Sequence, residues 1–209
     1  TEGIVWVRLP ELAPICDQIH MYSGNPSVFT HTPSAVWDSD YAAVWHMNNN
    51  PSGSSPQLQD STINNRDASA TGAFVAGDLV AGDIGGAIAF NGSKYFSVST
   101  VPSNMTQTTL EVWGKPTNVS GIRSFLFRNL GPAAGGFADF SAEGLDLYAA
   151  LPRATAPTGG CCNGVSVQAP QAVSANASVY IGATYVSNIL RIFVAGNQQA
   201  QVAGGSLAQ

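Results

Sequence analysis

A chain of 209 residues is long enough for one sizeable β-sandwich and a small appendage. It is 44% hydrophobic but only 10% charged, with 22 Gly, a composition that suits short strands and tight turns and disfavours long charged helices. The formal net charge of −5 and the 8 scattered basic residues argue against a nucleic-acid partner, and no run approaches the ~18 apolar residues of a membrane span.

In chain order, Ile4 to Leu9 and Ile19 to Tyr22 alternate like two strands of a hairpin, with Pro10 and Pro14 in the connection. Residues 27–40 read as a linker carrying Trp37, which either docks on the sandwich or serves as a ligand platform. Residues 1–35 thus form an N-terminal hairpin segment and linker, and 36–209 the main domain. From Tyr41 the pattern is strand, turn, strand. Predicted strands are 41–47, 86–90, 95–98, 109–115, 123–128, 137–140, 145–150, 165–168, 179–185, 189–194 and 199–203. Asn91-Gly92-Ser93, Gly131-Pro132 and Ala195-Gly196-Asn197 mark turns between them. Strands at this spacing predict an all-β, antiparallel β-sandwich. The clearest hairpin runs from Tyr180 to Gln199. Ile181, Ala183 and Tyr185 share a face, Val186-Ser187-Asn188 turns, and Leu190, Ile192 and Val194 alternate with Arg191 and Phe193.

The stretch from Tyr41 to Ser69 is the most suggestive for chemistry. Val44 and His46 point one way along a strand, and Ala43, Trp45 and Met47 the other. A polar loop follows, in which Asp60, Asn64 and Asp67 could give three of the six to eight oxygens a calcium ion wants. The competing reading is that these side chains bond their own backbone as Asx-turns. Glycoside hydrolysis needs two carboxylates ~5–9 Å apart. Glu143 and Asp146, three residues apart, would face opposite sides of a strand, and Glu111 has no acidic neighbour in sequence. His20, His31 and His46 lie in no catalytic or zinc motif, and His46 reads as a hydrogen-bonded core histidine. Trp37, Tyr95 and Tyr148 are the candidate aromatics for a sugar or other surface ligand, with core packing as the alternative for each.

Several segments, in order, resemble a laminin-G-like, concanavalin-A-like jelly roll. They are Trp45-His46-Met47-Asn48-Asn49, then Asp60 to Ala68, then Gly85 to Gly92, then Thr109 to Pro116, and last Tyr180 to Gly196. The chain departs from the family at Asn49, Ile63, Asn65 and Ala68, and the family's closing strands have no counterpart before Gln209. The segments Ile4 to Pro10 and Ile19 to Pro26 resemble the C-terminal half of a bacterial domain that precedes laminin-G-like domains in secreted or surface proteins. The resemblance implies an extracellular or cell-surface bacterial protein, present here as a fragment or as a subunit completed by a neighbour. In an exported protein, Cys16 could bridge to Cys161 or Cys162; three reduced thiols are the alternative.

Three functions follow as expectations. The first is a non-catalytic carbohydrate-binding or adhesion module, with a glycan as partner and calcium as a possible cofactor. The second is a structural subunit that self-assembles through open sheet edges by strand complementation. The third is a glycoside hydrolase of the concanavalin-A-like superfamily.

Overall fold

The computed structural model describes residues 4–9, 18–20, 35–100, 102, 105–129, 142–157 and 164–205. The chain divides into two compact units, Thr1–Val101 and Pro102–Gln209. The boundary falls inside the stretch that the sequence reading gives to a single jelly roll. All sheets are antiparallel, and the described residues hold no α-helix, only 3-10 geometry, as in the short turn Ala76–Asp78. No helix there is long and apolar enough to cross a membrane.

Among its described residues the first unit holds four short strands: β1 (Ser69–Thr71), β2 (Leu79–Ala81), β3 (Gly86–Ile88) and β4 (Tyr95–Ser97). They pair as β1 with β4 and β2 with β3. Leu58, Ala68, Phe74 and Ile88 form its buried core, against which Trp45, Met47 and Phe96 pack. Two expected strands are not formed here. Ile4 to Leu9 is irregular, with Ile4, Val5, Trp6, Val7 and Leu9 all exposed. Its alternation has no buried face to specify a register. Residues 41–47 contribute only an isolated bridge, Trp45 to Asp60. Side chains take that segment's backbone groups instead. Asp60 accepts from the Val44 N–H, Asn64 donates to the carbonyls of Tyr41 and Ala42, and Met47 turns to φ 56°.

Among the described residues, the second unit is a sandwich of two four-stranded sheets. Its strands are β5 (Thr108–Gly114), β6 (Ile122–Asn129), β7 (Ala142–Tyr148), β8 (Leu151–Pro157), β9 (Gly164–Gln168), β10 (Val179–Val186), β11 (Ile189–Val194) and β12 (Asn197–Ala203). One sheet runs β12-β11-β10-β5 and the other β6-β7-β8-β9. Their inner faces meet in one core, with Leu145, Leu147, Ala154 and Ala156 from the second sheet against Ile181, Ala183, Leu190 and Ile192 from the first. The predicted hairpin forms with the expected faces. Ile181, Ala183, Tyr185, Leu190 and Ile192 are buried, while Val186 pairs with Ile189 across Ser187 and Asn188, both at positive φ. Strand β8 was not expected from the sequence, and the expected strand at 137–140 lies outside the described residues.

Candidate functional site

The first unit carries an aromatic cleft of about 340 Å³, lined among others by Trp6, Arg8, Trp37, Asp38 and Tyr41. Local turn chemistry builds it. Asp38 accepts from the Asp40 N–H at 3.1 Å through its side chain and from the Tyr41 N–H at 3.2 Å through its backbone. That turn brings the Trp37 and Tyr41 rings edge-to-face at 5.0 Å. Alternation supplies the rest. Trp45 and Met47 enter the core, so His46 between them projects the other way and stacks on Trp6 at 4.9 Å. Trp37 lies 5.7 Å from Trp6 and 5.8 Å from His46, which closes the cluster.

Trp6 and Tyr41 remain 43% exposed, so their rings are open to a ligand. Burial lowers the His46 pKa, so the half-buried ring is neutral near pH 7 and packs as an aromatic rather than as a cation. His46 is therefore not the deeply buried histidine expected. On the cleft wall, Arg8 Nη2 meets Asp38 Oδ2 at 3.1 Å. An exposed pair of this kind adds little stability. It sets a planar donor group and a carboxylate on the wall of the cleft that the rings line.

Trp37 is the only one of the three candidate aromatics in this cleft. Tyr95 sits on β4 opposite Thr71, is 52% exposed, and does not line the cleft. Tyr148 ends β7 in the second unit, with the Arg153 guanidinium 4.8 Å above its ring. The cleft residues Trp6, Arg8, Asp38 and Tyr41 were missed from sequence. One available signal was that Trp6 and Arg8 are two apart, while Trp37-Asp38 opens a turn.

The Asp60 loop does bring its three predicted ligands together. Asp60 Oδ1 accepts from the N–H groups of Val44 and Thr62, both at 2.9 Å. Oδ2 accepts from the Thr62 hydroxyl at 2.7 Å and the Arg66 N–H at 2.8 Å. Asp67 accepts from the Asp60 N–H at 2.8 Å, and the Asn64 amide donates to Tyr41 O at 2.9 Å. Burial pushes the Asp60 pKa up, but the hydrogen bonds from Val44, Thr62 and Arg66 outweigh it and hold the pKa low. Both oxygens thus face hydrogen-bond donors, and as arranged the loop does not fit a calcium ion. Among the described residues no three His, Cys, Asp or Glu side chains are grouped to hold a metal. Cys16, Cys161, Cys162 and His31 lie outside the described residues.

The acids of β7 are locked separately. Glu143 shares the parity of Leu145 and Leu147 and faces the core, where Arg128 Nε donates to it at 2.8 Å. Asp146 points to the other face and takes both forks of Arg153, at 2.8 and 2.6 Å. They face opposite ways, as their spacing predicts. No known protein family, curated protein or solved structure matches this chain.

Proposed function

We propose that this chain is a non-catalytic carbohydrate-binding or adhesion module of a secreted or cell-surface protein, built on a laminin-G-like domain. The observation that carries this reading is the cleft in which exposed Trp6 and Tyr41 flank half-buried Trp37, beside the Arg8–Asp38 pair. Ring faces cover the apolar C–H side of a pyranose, and a guanidinium with a carboxylate supplies donors and an acceptor for its hydroxyls. A glycosidase reading has less support, since Glu143 and Asp146 point apart and each is held by its own arginine.

The test is retention on a polysaccharide and glycan panel, with and without chelator. Retention by wild type that falls at least about tenfold in affinity in Trp6→Ala and Trp37→Ala supports the cleft, one aromatic stack being worth about that much. Chelator is expected to change neither retention nor the unfolding temperature, because the Asp60 loop is closed by its own donors. Loss of retention on chelation would return the loop to the role of a calcium site.

One feature favours a second reading. Among the described residues, strand β12, Asn197–Ala203, is the edge of its sheet, and it contains no charge and no proline, the usual guards of an open edge. Absence of any glycan retention, together with assembly beyond the monomer in native preparations, would make strand complementation the leading function.

A further inference from the structure

A second hollow, of about 180 Å³, lies on the outer face of the β12-β11-β10-β5 sheet in the second unit. Its floor is Gly182, and the cross-strand partners of Gly182 are Glu111 on β5 and Phe193 on β11. These make two walls, and Tyr180 makes a third. Trp113, 58% exposed, lies 5.3 Å from Tyr180 and buttresses that ring from the adjoining strand. Among the described residues, Glu111 is the only charged side chain lining the hollow. The nearest cation along β11, Arg191, is directed to Gln201 on β12 at 3.2 Å. A bare glycine between two rings and a carboxylate is a trough with aromatic sides and one negative charge.

We propose that this hollow binds an alkylammonium group, preferentially a methylated one. Methyl groups bearing a delocalised positive charge satisfy ring faces and a carboxylate together, without the hydrogen bonds a bare ammonium or a sugar would need. The volume suits a single head group rather than a drug-sized ligand.

The test is proton–nitrogen correlation NMR of the full chain titrated with choline and tetramethylammonium. Dimethylbutanol, the uncharged carbon analogue of choline, is the control. Saturable shifts at the amides of Gly182, Thr184 and Phe193 are expected, with the neutral analogue about tenfold weaker. Glu111→Gln should weaken choline by a similar factor. Gly182→Ala places a methyl on the floor, where its nearest neighbours are at ordinary contact distances of 3.7 to 3.9 Å. It should abolish the shifts without lowering the unfolding temperature. Equal binding of the neutral analogue, no saturable shift, undiminished binding in both variants, or shifts with glucose but not choline would each overturn the assignment.

Discussion

The buried pair Arg128–Glu143 gives the sharpest stability prediction. Arg128 is 7% exposed and Glu143 2%, and their direct bond is 2.8 Å. Arg128 also donates to the Pro102 carbonyl at 3.0 Å, but its Nη2 is buried without a hydrogen-bond partner. Burial raises the Glu143 pKa, and the attraction of Arg128 and the bonds from Arg128 and Thr108 do not reverse it. Desolvation therefore dominates the pair. Glu143→Leu leaves an uncompensated buried guanidinium and should cost about 3–5 kcal/mol. Replacing both, Arg128→Met with Glu143→Leu, removes the desolvation of both charges and the orphaned Nη2. It should be neutral or stabilising, by up to about 4 kcal/mol.

The assay is urea unfolding by circular dichroism, fitted with two transitions if the units melt separately, and read as a double-mutant cycle. The pH dependence has a definite sign. A carboxyl whose pKa is raised by folding contributes stability below its unfolded pKa, about 4.3, and loses it as pH rises through the folded value. Wild type should lose stability across that window, and Glu143→Gln should remove this contribution. A cost under about 1 kcal/mol for Glu143→Leu, or a double variant as unstable as the sum of the singles, would refute the reasoning.

Two further outcomes can be checked with the same method. Asp60, 8% exposed with four donors, should behave in the opposite sense. Its lowered pKa contributes stability above the unfolded value of about 3.9 and loses it as pH falls through the folded value. Asp60→Asn should cost about 2 kcal/mol at neutral pH and flatten that acid limb. Separately, Ala149 and Ala150 form the turn from β7 to β8 at φ 50° and 71°, a conformation that alanine tolerates poorly. Ala150→Gly should stabilise by about 0.5–1 kcal/mol, the relief exceeding glycine's added chain entropy; destabilisation would mean that the Val173 N–H bond to the Ala150 carbonyl depends on the methyl.

How far the sequence could be read depended on where backbone groups found partners. The β10–β11 hairpin was legible because strict alternation buries one face and a two-residue turn fixes the register. Strand β8 was hidden because Pro152 and Pro157 signal a break, yet both sit in its pairing register, and Ala154 and Ala156 fill the core between neighbouring strands. Residues 41–47 misled in the opposite way, since their extended pattern is satisfied by the side chains of Asp60, Asn64 and Arg66. At the site, Trp37 was readable as a lone aromatic in a linker. Its partners were not, because Trp6 and His46 reach it from segments separated in sequence, and ring stacking across such gaps leaves no periodic trace.

The connectivity of the sandwich also carries a kinetic consequence. Strands β10, β11 and β12 follow one another through two-residue turns, whereas β5 joins β10 only after the chain has traversed β6 to β9. Nearby segments meet cheaply, and distant ones must first surrender the freedom of everything between them. The three-stranded meander is therefore expected to assemble early and β5 to dock last. Amides of β10 bonded to β5 should gain hydrogen-exchange protection after those bonded to β11. Until β5 arrives, β10 is itself an unpaired edge, so the β12-β11-β10-β5 sheet is most open to mispairing between molecules at the moment when its own folding is nearly complete.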